Sequence, residues 1–285
     1  MNAALIPQTT VFDFAPGDGS ATWRIFLYQP PGEPPAQGWP VLYYTDANAV
    51  AGTAADTMRV QAAWPLGTGI EWGVMVGIGY PVDDAYDGVR RSWDLGPPPG
   101  KTYPPFTTDG PDVRTGGADA FLAFIEDELK PEIARRVPID TSRQSILGHS
   151  FGGLFVLHAL FRRPTTFSRW ISSSPAIWWE GGGIVAAAEA FVAKRDTHEG
   201  RVMLLVGEYE QKLAPFQVGA CDEEKRLANF EESRIVDHTR EMAERLAMAP
   251  GLTAEYVFLP GETHMSVLPA TINLGIRFAF GRDPA

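Results

Sequence analysis

Cysteine is nearly absent from this chain of 285 residues: Cys221 stands alone. A lone thiol excludes an internal disulfide and cannot by itself make a metal site. Positive charge is also scarce. Lys and Arg total 24 against 35 Asp and Glu, a formal net charge of −11. That balance argues against nucleic acid or an anionic membrane surface as a partner. No apolar run approaches the length of a membrane span. Residues 1–10 lack a basic stretch followed by an apolar one, so no signal peptide is expected and a reduced, cytoplasmic setting follows. Internal repeats and interdomain linkers are missing too, and one domain over residues 1–285 is the expectation. What the chain does have is core material: 45% of residues are hydrophobic and 21% charged, a balance that supports a packed interior.

Short β-branched or aromatic runs alternate with longer helical patterns. That order predicts an α/β fold, a mostly parallel sheet covered by helices. Strands are expected at 22–28, 41–45, 74–80, 144–147, 170–173, 201–207 and 254–259. The first should run antiparallel and reach the second through a Pro/Gly-rich connection at 30–40. A helix over 118–136 places Phe121, Ile125 and Leu129 on one face, with Pro131 expected to bend it or end it early. Another is expected over 222–248, with a sparse apolar stripe of Leu227, Phe230, Met242 and Leu246. The stretch 81–117, rich in Pro, Gly, Asp and aromatics, reads either as a lid or binding loop or as a proline-stiffened surface excursion.

The most informative string is Gly148-His149-Ser150-Phe151-Gly152-Gly153, between one apolar segment and another. Strand, sharp turn and helix in that order make a nucleophile elbow with Ser150 at its tip. Small neighbours are needed because the turn is strained, and Gly153 lets the helix approach the sheet. A serine hydroxyl needs a base within hydrogen-bond reach. Of five histidines, His149 should point away from the serine and His158 is most simply packed within a helix. His198 and His238 lie in polar surroundings that look exposed. His264 follows the strand at 254–259 in the loop Pro260-Gly261-Glu262-Thr263, where the base of such a fold belongs.

The acid should fall between serine and histidine in chain order. The strand at 201–207 runs into Glu208-Tyr209-Glu210, and Glu210 is the better placed, since Glu208 is close enough to the strand end to face the wrong way. Asp222 and Glu223 are distant fallbacks, and a serine–histidine dyad is the alternative. Two backbone donors must hold the oxyanion. Phe151 N–H is one, and the loop Asp46-Ala47-Asn48-Ala49 offers the other, Asn48 N–H, with Ala47 as the alternative.

These strings together resemble the putative-esterase branch of the α/β-hydrolases, which includes enterobactin-type siderophore esterases. The resemblance runs from the 46–50 loop to His264. It includes Arg90-Arg91 with Asp94, Gly116-Gly117-Ala118, Ser173-Ser174-Pro175 with Trp178-Trp179, and Gly207-Glu208 with Glu210-Gln211. One departure is Ala47, where the family loop has glycine. The resemblance implies a sheet of about eight strands and ester hydrolysis without metal or cofactor. It implies Ser150 as nucleophile and His264 as base, and Glu210 matches a position that is sometimes glutamate. The implied partner is a small-molecule ester or lactone. Arg90 and Arg91, with Trp93, Trp178 and Trp179 as aromatic walls, are candidates to bind an anionic catecholate; pairing of the arginines with nearby aspartates is the alternative. A general carboxylesterase, or an inactive hydrolase fold that only binds, are the competing functions. The oligomeric state is not set by these residues.

Overall fold

Strands that are apolar on both faces must lie inside a sheet covered on both sides, and several runs of this chain are of that kind. The computed structural model describes residues 5–17, 19, 21–105, 108–194 and 199–282. Contacts divide the chain into two compact units, one running to Ile146 and resuming at Ile272, the other Leu147–Thr271.

The first unit starts with β1 (Thr9–Phe14), β2 (Trp23–Tyr28), β3 (Trp39–Thr45), α1 (Ala47–Ala62), a short α2 (Pro65–Thr68) and β4 (Val74–Gly79). Every residue of β3 and β4 is buried, and the two are parallel. β2 is antiparallel to β4, as its position in sequence predicted. β1 was not expected. It pairs antiparallel with β2 and buries none of its residues fully, so it carries little hydrophobic signal of its own.

The 81–117 stretch is partly ordered as α3 (Gly88–Leu95) and a two-stranded ribbon of β5 (Thr102–Tyr103) and β6 (Val113–Arg114). α3 begins where the Asp87 carboxylate accepts the Arg90 backbone N–H at 3.0 Å, a side-chain N-cap. The expected 118–136 helix forms as α4 (Ala118–Ala123), a π turn at Phe124–Leu129 and α5 (Lys130–Arg136). Pro131 neither ends nor breaks it. The wide turn, whose ladder closes with Lys130 N–H on the Ile125 carbonyl, makes room for a ring that would collide with the carbonyl four residues back in a regular helix. β7 (Ile139–His149) then carries the chain into the second unit.

That unit contains α6 (Phe151–Arg162), β8 (Arg169–Ser173), α7 (Trp179–Ala193), β9 (Gly200–Gly207), α8 (Glu223–Ser233), α9 (Ile235–Leu246), β10 (Leu252–Leu259) and the start of α10 (Val267–Phe280). α6 buries nine residues from Gly152 to Leu160, and is apolar nearly all round because it is enclosed on all sides. β8, β9 and β10 run parallel. The helix expected over 222–248 is two helices. Arg234 adopts the left-handed conformation, φ 40° and ψ 40°, and turns the chain between α8 and α9. α9 buries Ile235, Thr239, Met242, Ala243 and Leu246, whereas α8 buries nothing. The stripe read across the break belonged to two separate faces.

The eight long strands hydrogen-bond in the order β1-β2-β4-β3-β7-β8-β9-β10, a mostly parallel sheet with helices, which is the α/β-hydrolase architecture. Among the described residues, no helix is long and apolar enough to cross a membrane.

Candidate active site

Main-chain sterics create the bend that exposes Ser150. Its φ of 59° and ψ of −115° lie outside the regions comfortable for an L-residue. The main chain on both sides holds it there. Ser150 N–H donates to the Ser173 carbonyl at 2.9 Å, and the Ser150 carbonyl accepts from Leu154 N–H at 3.0 Å and Ala176 N–H at 3.2 Å. A Cβ on Gly148 would sit 2.1 Å from the Gly152 carbonyl oxygen, and one on Gly153 would sit 2.6 Å from that of Ser173. Both glycines are therefore required by the bend itself.

The same unit brings Ser150, His264 and Glu210 into one line. Ser150 Oγ lies 3.1 Å from His264 Nε2, and His264 Nδ1 lies 2.6 Å from Glu210 Oε2. The second carboxylate oxygen, Glu210 Oε1, accepts from Gly207 N–H at 2.6 Å and from the Ser174 hydroxyl at 2.7 Å. Glu210 is 3% exposed, so a buried carboxylate has three donors around it. The turn at Glu208–Glu210 is a single 3-10 turn. Residues two apart in such a turn face away from each other, which sends Glu208 elsewhere. Its carboxylate pairs with Lys212 Nζ at 2.7 Å and accepts from Gly261 N–H at 2.8 Å. Tyr209 N–H meanwhile donates to the Glu262 carbonyl at 2.8 Å, so the loops of acid and histidine are stitched together.

Ser174 was part of the family resemblance but had been given no role. It is fully buried, holds φ 43°, and orients the free oxygen of Glu210. The signal was present as a polar residue between a strand end and Pro175. Its partner, 36 positions away, was not visible in sequence. The other histidines separate as follows. His149 is buried with Nδ1 3.3 Å from Ser173 Oγ, and its ring lies 4.7 Å from that of His264. His158 is buried within α6, and His238 is half-buried on α9 rather than exposed. His198 lies outside the described residues. Trp179 packs edge-on against Phe151 at 4.6 Å and Trp178 against Trp179 at 5.4 Å, so both tryptophans stand beside the elbow.

The remaining expected residues belong to the first unit. Asp46, rather than Ala47, takes the left-handed conformation, φ 57°, and α1 begins after it. The Ala47 and Asn48 N–H groups therefore lie in the first turn, where a helix supplies no acceptor. The Asn48 side chain is committed within its own unit: its amide accepts Tyr80 N–H at 2.8 Å and donates to the Tyr80 and Val82 carbonyls. Ala47 in place of glycine is accommodated by Gly77, where a Cβ would meet the Ala47 methyl at 2.6 Å.

Arg91 grips Asp46 through two hydrogen bonds of 2.8 Å, with Tyr86 over its guanidinium. Arg90 lies over the Trp23 and Tyr80 rings, donates to the Thr22 carbonyl at 2.5 Å and stands 4.0 Å from Asp94. Arg90 thus stands near an aspartate of its own segment, whereas the partner of Arg91 is Asp46, which lies outside that segment. Burial pushes the Asp94 carboxyl up to about 6, against the opposing pull of the Trp23 N–H bond and Arg90. Trp93 is 41% exposed beneath Arg114. Among the described residues, no cluster of three or more His, Cys, Asp or Glu is placed to hold a metal ion.

A family model described as Putative esterase matches residues 21–247. The chain is 37% identical to the ferri-bacillibactin esterase BesA of Bacillus subtilis, over 99% of this chain and 93% of that protein. It is 35% identical to the siderophore triacetylfusarinine C esterase of Aspergillus fumigatus, over 85% and 81%. Of solved structures, the BES protein from Bacillus cereus superposes with a TM-score of 0.83 at 29% identity, covering 98% of each chain. The siderophore hydrolase EstB from Aspergillus nidulans does so with a TM-score of 0.85 at 27% identity, covering 100% and 99%.

Proposed function

The chain belongs to the Putative esterase family, and from that premise we propose that it opens the ester or lactone bonds of a siderophore through a Ser150–His264–Glu210 relay. Hydrolysis of ester bonds comes with the family and its relatives. The siderophore substrate rests on two relatives above 30% identity, one named for ferri-bacillibactin and one for triacetylfusarinine C. The observation that carries the relay is the hydrogen-bonded line from Ser150 Oγ through the imidazole to Glu210.

In this reading Glu210 accepts from Nδ1–H and fixes the tautomer in which Nε2 is a lone-pair base. Ser150 Oγ forms a bond to the ester carbonyl carbon while its proton passes to His264 Nε2. The carbonyl oxygen becomes an oxyanion and accepts from Phe151 N–H, the first amide of α6. The second donor assigned from sequence is Asn48 N–H. Collapse of the adduct breaks the carbon–oxygen bond of the ester, and the departing alkoxide takes the proton from His264. A water then attacks the acyl-serine, gives one proton to His264 and releases the acid, after which the proton returns to Ser150. No oxidant, metal or cofactor enters the balance. We place this chemistry in the cytoplasm, a reduced compartment suited to the exposed thiol of Cys221.

Replacing Ser150 by alanine tests the reading. Turnover of a p-nitrophenyl short-chain ester should fall by roughly four to six orders of magnitude, with the melting temperature kept or raised as strain at the bend relaxes. Full residual turnover would remove the serine from the mechanism.

A further inference from the structure

The hydrogen bonds of His264 lie at two atoms of its rim, Nδ1 to Glu210 and Nε2 to Ser150. Such bonds are directed in the plane of the ring and fix where the two nitrogens sit. They do little against a tilt of the ring about the line that joins those nitrogens. Tilt matters, because a hydrogen bond weakens steeply as its angle closes, and the proton must travel along it. A group packed on the ring face is what opposes tilt. His149 is such a group: the two ring centroids are 4.7 Å apart, with their planes inclined by 39°. Offset or tilted aromatic pairs at that spacing attract one another.

His149 is itself held from behind. It is buried at the last position of β7, and its Nδ1 lies 3.3 Å from the hydroxyl of Ser173, the last residue of the neighbouring β8. Ser173 Oγ lies in turn 2.7 Å from Thr271 Oγ1 on α10, the helix that follows the His264 loop. Ser173 and Thr271 are both fully enclosed. Three polar side chains in a row inside the core carry a desolvation cost that apolar residues of like size would not. Connected to one another, they lock each other's rotamers. None of the three is needed to balance the acyl transfer, yet the row ends on the ring that lies against its base.

We infer that His149 is a positioning residue for the relay: its ring is a platform that sets the plane of His264, and the Ser173 and Thr271 hydroxyls set the platform. This rests on the esterase reading above, since the plane of His264 matters to turnover only where His264 is the base. His149 acts through His264 and exchanges no proton with Ser150. A platform needs a flat face and a fixed orientation, and the two requirements can be removed one at a time.

Kinetics with p-nitrophenyl acetate and proton NMR of the resting protein test it together. His149→Leu and His149→Phe both lose the contact with Ser173, but phenylalanine keeps a flat face. The leucine variant should lose about tenfold in kcat with KM within about twofold, the size expected for one ring contact. The phenylalanine variant should stay within about threefold of the parent, although both melting temperatures fall alike. Thr271→Val should cost about threefold in kcat, Thr271→Ser should restore it, and the valine cost should vanish on His149→Leu. The Nδ1–H proton of His264, held against Glu210 across 2.6 Å, should give a far-downfield line in the parent and the phenylalanine variant that broadens in the leucine variant. Equal kcat in leucine and phenylalanine variants, a loss carried by KM, or a Thr271→Val cost that is absent or the same in both backgrounds would each overturn the assignment. If the His149 variants do not fold, the Thr271 pair decides it. A parent that leaves the ester intact would sink the esterase reading, while the downfield line still reports on the platform.

Discussion

Two buried polar clusters in this chain use similar ingredients to different ends. In the first unit Asp46, Arg91, Asp94 and Arg90 are stacked among Trp23, Tyr80 and Tyr86, and each carboxylate has a guanidinium within 4.0 Å. In the second, the Glu210 carboxylate meets the His264 imidazole, a backbone amide and a hydroxyl. The first cluster lies within the fold, although the buried Arg90 Nη2 has no hydrogen-bond partner. The second runs from a carboxylate 3% exposed to an imidazole whose side chain is 40% exposed, so its outer end is open. A network enclosed by aromatic rings and paired charges holds structure, while one with an exposed end can act on something else.

Five substitutions would break or sharpen that contrast. Glu210→Gln should lower kcat by about three to four orders of magnitude, because a neutral amide no longer fixes the reactive tautomer. Glu208→Gln should cost only a few-fold, and the reverse order in ester turnover would reassign the acid. Arg91→Met should destabilise the fold by about 3 kcal/mol in urea melts, since it strands the Asp46 carboxylate, and it should weaken anionic and neutral esters alike. A loss confined to anionic esters would return Arg91 to substrate binding.

Asp94→Asn should show a pH signature. Burial raises this carboxyl from 3.8 to about 6 in the folded chain, so its contribution to stability is full below about pH 4 and lost as pH rises through 6. The asparagine variant should therefore gain on the parent by about 3 kcal/mol between pH 4 and 7. A flat difference across that range would mean that Asp94 stays charged. Ser174→Ala should cost far less than Glu210→Gln, roughly tenfold on kcat with little change in KM, because Glu210 keeps Gly207 N–H.

Much of this was legible in sequence where local rules act alone. The elbow shows because Gly148 and Gly153 are forced by contacts with nearby main chain. His264 and Glu210 show because α/β folds place such residues in loops after strands. The strands of the sheet appear as apolar runs for the same reason, except β1, whose half-exposed residues leave no such run. What stayed hidden depends on partners far along the chain. Ser174 looked like loop filler until Glu210 met it. The break at Arg234 could not be seen because arginine carries no signal for a left-handed turn. The arginine pair showed its charges in sequence, but Asp46 as the partner of Arg91, 45 positions away, did not.

The bend at Ser150 is gripped only through main-chain groups, the carbonyl of Ser173 and the amides of Leu154 and Ala176. Nothing in that grip depends on which atom ends the side chain. A thiol mounted there by Ser150→Cys would therefore occupy the same spot beside the imidazole, with the geometry of the relay kept and only the chemistry of the attacking atom changed.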